Sequence, residues 1–208
     1  VCAPARSVLL TGRHTGHSPH RGNADIPLKQ QDVTVFEVLK GVGYQTSAMG
    51  KWSMGEVSPG LPSQQGVDEW YGFLNQSDAH RHYVDFNDVF YRNDDPIASK
   101  DVPSTAFDQD LFPFEALDFI RRKAAGPDPF FLYIPYTTPH AEMLAPPEAM
   151  APFIALNWPE PKYTNWWPSK TGYRTADTPL AAYAAMMPLM DEDIGKILAA
   201  LKTQGIDD

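Results

Sequence analysis

Phe130-Phe131-Leu132-Tyr133-Ile134-Pro135-Tyr136-Thr137-Thr138-Pro139-His140 begins as an unbroken apolar run and ends as a loop that carries a histidine. A run of that length without alternation reads as a buried strand, because a strand covered on both faces has no polar side to show. Asp128 and Pro129 mark the turn before it. Ahead of the turn, helical periodicity extends from about Leu111 to Lys123, so the local order is helix, turn, strand.

Working outward, the same order recurs nearer the start of the chain. Thr34-Val35-Phe36-Glu37 fits a capping box, and Val35, Phe36, Leu39 and Val42 give an apolar face that stops at Gly41 and Gly43. Tyr44 to Met49 then reads as a strand delivering Gly50-Lys51-Trp52-Ser53 at its carboxyl end. Towards the other end, Thr178 and Pro179 open a long helix with Met186, Met190, Ile194, Ile197, Leu198 and Leu201 as its core face and Gly205 as its stop. Helices alternating with strands imply an α/β fold with a largely parallel sheet flanked by helices. Ligands of such sheets bind beyond the carboxyl ends of the strands, where Lys51 and His140 both fall.

Composition narrows the function. A chain of 208 residues with 43% hydrophobic content can form one globular α/β domain, and no apolar run is long enough to span a membrane. The formal charge of -9 argues against nucleic acid as partner, so an anionic substrate has to be met by local cations. One cysteine, Cys2, rules out an intrachain disulfide framework. The proline-rich stretches at Ala145-Pro146-Pro147 and Trp158-Pro159-Glu160-Pro161 read as irregular loops.

That cysteine stands in Cys2-Ala3-Pro4-Ala5-Arg6, followed by Ser7-Val8-Leu9-Leu10-Thr11-Gly12-Arg13. Pro4 suits a first helical turn, so a helix from Pro4 to Leu10 is expected with Cys2 just ahead of it. The free N–H groups and positive end of that helix would favour an oxyanion.

The Cys-x-Pro-x-Arg…Thr-Gly-Arg pattern resembles the signature of type I sulfatases, formylglycine-dependent enzymes of the alkaline-phosphatase superfamily. Gly43-Tyr44-Gln45-Thr46-Ser47-Ala48-Met49-Gly50-Lys51-Trp52 resembles the second signature of that family, and Phe130 to His140 its histidine-bearing strand. Leu74-Asn75-Gln76…Ala79-His80 resembles a segment of an arylsulfatase-like subgroup. The resemblance implies an alkaline-phosphatase-like fold, of which residues 1–208 are the central part of the catalytic domain. It implies hydrolysis of a sulfate ester by the hydrate of a formylglycine made from Cys2 by a maturation enzyme. It also implies calcium or another divalent cation, with Cys2 as a ligand and aspartate and asparagine ligands outside these residues. The isolated segment is therefore expected to be inactive. A sulfated small molecule or glycan is the implied partner, and a periplasmic, extracellular or lysosomal setting is the implied location.

By the same resemblance Arg6 holds the hydrated aldehyde, Lys51 binds sulfate, and His140 assists the leaving group. Many family members carry a histidine two residues after the lysine, where this chain has Ser53. Serine does not titrate near neutrality, so His80 is the expected replacement and His82 the second choice. Two loop histidines without a role are the plain alternative. His14, His17, His20 and Arg21 either line a substrate mouth or form a solvated loop, and His17 and His82 are candidate substrate contacts. Trp158, Trp166 and Trp167 either stack on a sugar or anchor packing. Two rival functions stay open: a phosphonate or phosphate monoester hydrolase of the same superfamily, and a degenerate sulfatase-like module that binds glycans without hydrolysis.

Overall fold

A computed structural model describes residues 2–24, 26–83, 89–97, 101–102, 106–161 and 176–207. The elements run α1 (Cys2–Thr11), α2 (Val35–Lys40), β1 (Gln45–Lys51), β2 (Glu69–Phe73), β3 (Phe90–Arg92), β4 (Asp95–Ile97), α3 (Asp108–Ala124), β5 (Phe130–Tyr133), α4 (Pro147–Ile154) and α5 (Pro179–Gln204). The strands form one sheet in the order β4-β3-β2-β1-β5.

β1 sits between β2 and β5 and is parallel to both, whereas β2-β3 and β3-β4 are antiparallel. The centre of the sheet is parallel and flanked by helices as expected, and β3 and β4 add an antiparallel hairpin at its far edge that makes the whole sheet mixed. β5 is half-buried along its length, since among the described residues it pairs with β1 alone.

Alternation along the central strands separates two cores. Ala48 and Trp70 join Leu10, Phe36 and Trp52 beneath α1 and α2. Met49 and Tyr71 join Phe90, Phe112 and Phe119 beneath α3. α2 starts as expected, with the Thr34 side chain accepting from the Glu37 N–H and Glu37 reaching back to the Thr34 N–H. Val42 lies past the end of that helix and is exposed.

Two helix starts differ from expectation. α1 begins at Cys2 itself, and α3 begins at Asp108, a turn before Leu111. In α5, Met186 is buried but Ile194 and Leu198 face outward. The inward position there belongs to Asp193, which accepts a hydrogen bond from Gln109 Nε2 at 3.1 Å and one from Lys196 at 3.1 Å. Gly205 ends the helix in a left-handed conformation, as expected.

Candidate active site

β1 ends at Lys51, and the backbone around that residue is held from several sides. Its N–H donates to the Pro135 carbonyl at 2.9 Å, and its own carbonyl accepts from Arg6 Nη1 at 2.5 Å. The neighbouring Gly50 has φ 137°, and a Cβ there would stand 2.4 Å from the Pro135 carbonyl oxygen. Only glycine lets β5 and its loop approach so closely.

Held in this way, the buried Lys51 side chain puts Nζ 3.5 Å from Cys2 Sγ. Nζ also lies 3.2 Å from His80 Nε2. His80 ends a short 3-10 turn, Asp78–His80, in which Asn75 bonds both the backbone and the side chain of Asp78. The His80 ring stacks on His140, with centroids 4.3 Å apart and planes 6° from parallel. His140 Nδ1 donates to the Ala141 carbonyl, leaving Nε2 as the ring nitrogen that can face the site. Cys2 opens α1, where the Ala3 N–H donates to Asn23 Oδ1 at 3.2 Å.

The electrostatics follow from this packing. Hydrogen bonds from His140 and His80 draw the Cys2 pKa down to about 4; burial opposes them and the Lys51 charge assists. Burial lowers Lys51 to about 8, with the Cys2 charge opposing and Arg6 adding repulsion. Burial also lowers His80 below the usual histidine value, and the Lys51 charge works in the same direction. The site is a cationic, partly dehydrated pocket around one sulfur, suited to an oxyanion with a nucleophile beside it.

Cys2, Lys51, His80 and His140 therefore come together. Arg6 is adjacent, but its Nη1 is taken by the Lys51 carbonyl and lies 3.4 Å from Tyr133 Oη. Ser53 is buried at φ 57°, with its N–H on the Leu74 carbonyl and its hydroxyl without a partner. The histidine beside Lys51 is His80.

His82 is placed differently from the expected substrate contact. It is fully buried, and its ring meets Asp108 and the His140 carbonyl, because His80 closes the 3-10 turn and the extended Arg81 after it carries the chain away from Lys51. His20 is also fully buried, bonded to Ser7 Oγ and the Ile26 carbonyl, and so is no part of a mouth. His17 is exposed, in edge contact with His14. It lines a separate cavity of about 380 Å³ with Arg13, Arg21, Lys29 and Asp32. Trp158 packs on Phe153 and is 37% exposed, while Trp166 and Trp167 lie outside the described residues.

Among the described residues no group of three or more His, Cys, Asp or Glu side chains could hold a metal ion. Cys2 has an ammonium and two imidazoles for neighbours, where a hard cation requires several oxygens. The described residues do not make a cation site. Asn23 and Tyr133 also border the site, bonded to the Ala3 N–H and to Arg6; no motif marks Asn23, whereas Tyr133 stands inside the apolar run that starts at Phe130.

Residues 1–208 match the family model for Sulfatase. An N-acetylgalactosamine-6-sulfatase of Sus scrofa is 33% identical over 168 residues, covering 70% of this chain and 32% of that protein. Among solved structures, Ps i-CgsB in complex with k-i-k-neocarrahexaose is 25% identical, with a TM-score of 0.72 over 98% of this chain and 45% of that one. The phosphonate monoester hydrolase SpPMH from Silicibacter pomeroyi shares the fold at 16% identity, with a TM-score of 0.66 over 100% of this chain and 51% of that one. This chain belongs to the sulfatase family. It spans about a third of the pig relative and just under half of Ps i-CgsB.

Proposed function

We propose that the complete protein is a sulfuric-ester hydrolase whose nucleophile is the hydrate of a formylglycine made from Cys2. The observation that carries the reading is the convergence of Lys51, His80 and His140 on the Cys2 sulfur at the start of α1. In this reading one hydroxyl of the hydrate would bond to sulfur and release its proton to solvent while Lys51 holds the sulfate oxygens. The S–O bond to the alcohol breaks, and His140 supplies the proton the alcohol takes. His80 then removes the proton of the remaining hydroxyl, the C–O bond to sulfate breaks, and the aldehyde is restored for rehydration.

A sulfated sugar is the substrate class we favour, since the names of the pig relative and of the Ps i-CgsB complex both point to saccharides. A maturation enzyme that oxidises Cys2 is then a required partner. The test is peptide mass spectrometry of the complete protein made with a formylglycine-generating system, followed by assays on a sulfated saccharide, an aryl sulfate and a phosphate monoester. A loss of about 18 Da at Cys2 with sulfate-ester turnover absent in Cys2→Ala supports the reading. Turnover of the phosphate ester alone would transfer it to the phosphohydrolase branch, whose fold SpPMH shares. Glycan binding by an unmodified, inactive protein would transfer it to a binding module.

A further inference from the structure

His82 and Asp108 are both fully buried, and neither is among the groups that act on the Cys2 sulfur. Removing a histidine and a carboxylate from water is costly, so such a pair is a poor means of adding stability. Its geometry gives it another use. His82 Nδ1 lies 3.5 Å from Asp108 Oδ1, and Nε2 lies 2.8 Å from the backbone carbonyl oxygen of His140. A carbonyl only accepts, so Nε2 bears a proton and donates it.

The surrounding backbone is tied in the same place. The Asp108 N–H donates to the His82 carbonyl at 2.7 Å, and the Glu142 N–H donates to the His80 carbonyl at 3.1 Å. Residues 80 and 82 are thus bound to residues 142 and 140, so the segments that supply the two stacked rings are laced together twice. Burial opposes a charge on His82, yet Asp108 lifts its pKa above the ordinary value, and burial lifts that of Asp108. The pair as a whole keeps its proton, and with it the donor to His140.

We propose that the His82–Asp108 pair is a positioning unit that holds the His140 carbonyl and so keeps the His80–His140 stack aligned over Cys2. The catalytic part of this proposal rests on the sulfatase reading. His140 lies on a loop well beyond the end of β5, where alignment needs an external support. Displacing a reacting group by about 1 Å can cost roughly a hundredfold in rate.

His82→Gln and His82→Asn of the complete protein separate positioning from packing. Glutamine can place an amide nitrogen where Nε2 stands; asparagine can face Asp108 but cannot reach the His140 carbonyl. In the unmodified protein, nitrogen–proton correlation spectra of the histidine rings report the stack without any turnover. The His80 and His140 signals are expected to stay in place in H82Q and to move or broaden in H82N. Unchanged signals in H82N would overturn the proposal.

In matured protein, kcat on an aryl sulfate, normalised to formylglycine content, is expected to fall roughly a hundredfold in H82N with KM little changed, and to recover in H82Q to within about tenfold. Equal losses in both variants, or losses that follow thermal stability alone, would also overturn it. A wild-type protein without sulfate-ester turnover defeats the sulfatase reading instead, and the ring spectra then decide the positioning question alone. If H82N does not fold, Asp108→Asn takes its place, with displaced His140 signals expected and unchanged ones against the proposal.

Discussion

Arg6 Nη1 donates to the backbone carbonyl of Lys51 at 2.5 Å, tying the first helix to the end of the central strand. The same nitrogen lies 3.4 Å from Tyr133 Oη on β5. With its N–H on the Pro135 carbonyl, the Lys51 peptide is fixed on both sides. Its side chain is then aimed by a rigid backbone at Cys2, and Arg6 acts on the site through that peptide.

Arg6→Lys replaces a planar fork with a single ammonium that cannot satisfy both partners. The midpoint of urea unfolding is expected to fall by an amount equivalent to about 1–3 kcal/mol, and sulfate-ester turnover by more than the unfolded fraction explains. An unchanged midpoint with normal turnover would show that the carbonyl contact holds nothing.

The unmodified thiol offers a second test, by alkylation rate against pH. With its pKa drawn down to about 4, Cys2 is a thiolate above that value and a thiol below it. Reaction with iodoacetamide should therefore be flat from pH 8 down to about 5 and fall only as pH drops through 4, given an ordinary thiol near 8.5. His140→Ala should move the fall to higher pH. A midpoint near 8.5 in the parent chain would contradict the geometry of the site.

Lys51 titrates in the opposite sense. Lowered to about 8 by burial, it is charged below that pH and loses its charge as pH rises through it. In the complete enzyme the neutral hydrate lacks the Cys2 charge that raises Lys51, so inhibition by inorganic sulfate should already be weakening as pH approaches 8, and by up to about tenfold per unit once the amine is neutral. A constant inhibition constant between pH 7 and 9.5 would count against Lys51 as the sulfate holder.

Gly72 lies opposite Gly50 in the parallel β1-β2 register. A Cβ at Gly72 would stand 1.9 Å from the Gly50 carbonyl oxygen, and its φ is 151°. Gly72→Ala is expected to destabilise the fold by roughly 3 kcal/mol through strain and backbone displacement. Thr34→Ala, which removes the cap of α2, should cost only about 1 kcal/mol. Chemical unfolding of both variants checks the order, and a milder Gly72→Ala would show that the two strands can separate freely.

Much of this arrangement was readable from local chemistry. Thr34 and Glu37 announced the start of α2, Gly205 the end of α5, and the run from Phe130 a strand leading to His140. The motifs whose family resemblance singled out Cys2, Lys51, His80 and His140 lie far apart in sequence, and the fold places the four side chains together. Other features depend on partners distant in sequence. β2 carries Trp70, Tyr71 and Phe73 but was not recognised, and the β3-β4 hairpin turning at Asn93 and Asp94 lay in a polar stretch. α5 has apolar residues on more than one side, so its periodicity could not disclose that Asp193 faces inward while Leu198 faces out. Whether His80 or His82 met Lys51 was likewise decided by Asp108, contributed by another element.

Asp108 and Gln109 are consecutive at the start of α3, yet they serve different neighbours. The first meets His82, behind the stacked rings, and the second reaches Asp193 on α5. One turn of helix thereby works as a fulcrum between the outer helical layer and the pocket. Asp193→Ala would remove a support of the turn that carries Asp108 without altering any group that touches Cys2, so a helix that never enters the pocket shares in holding the element behind it.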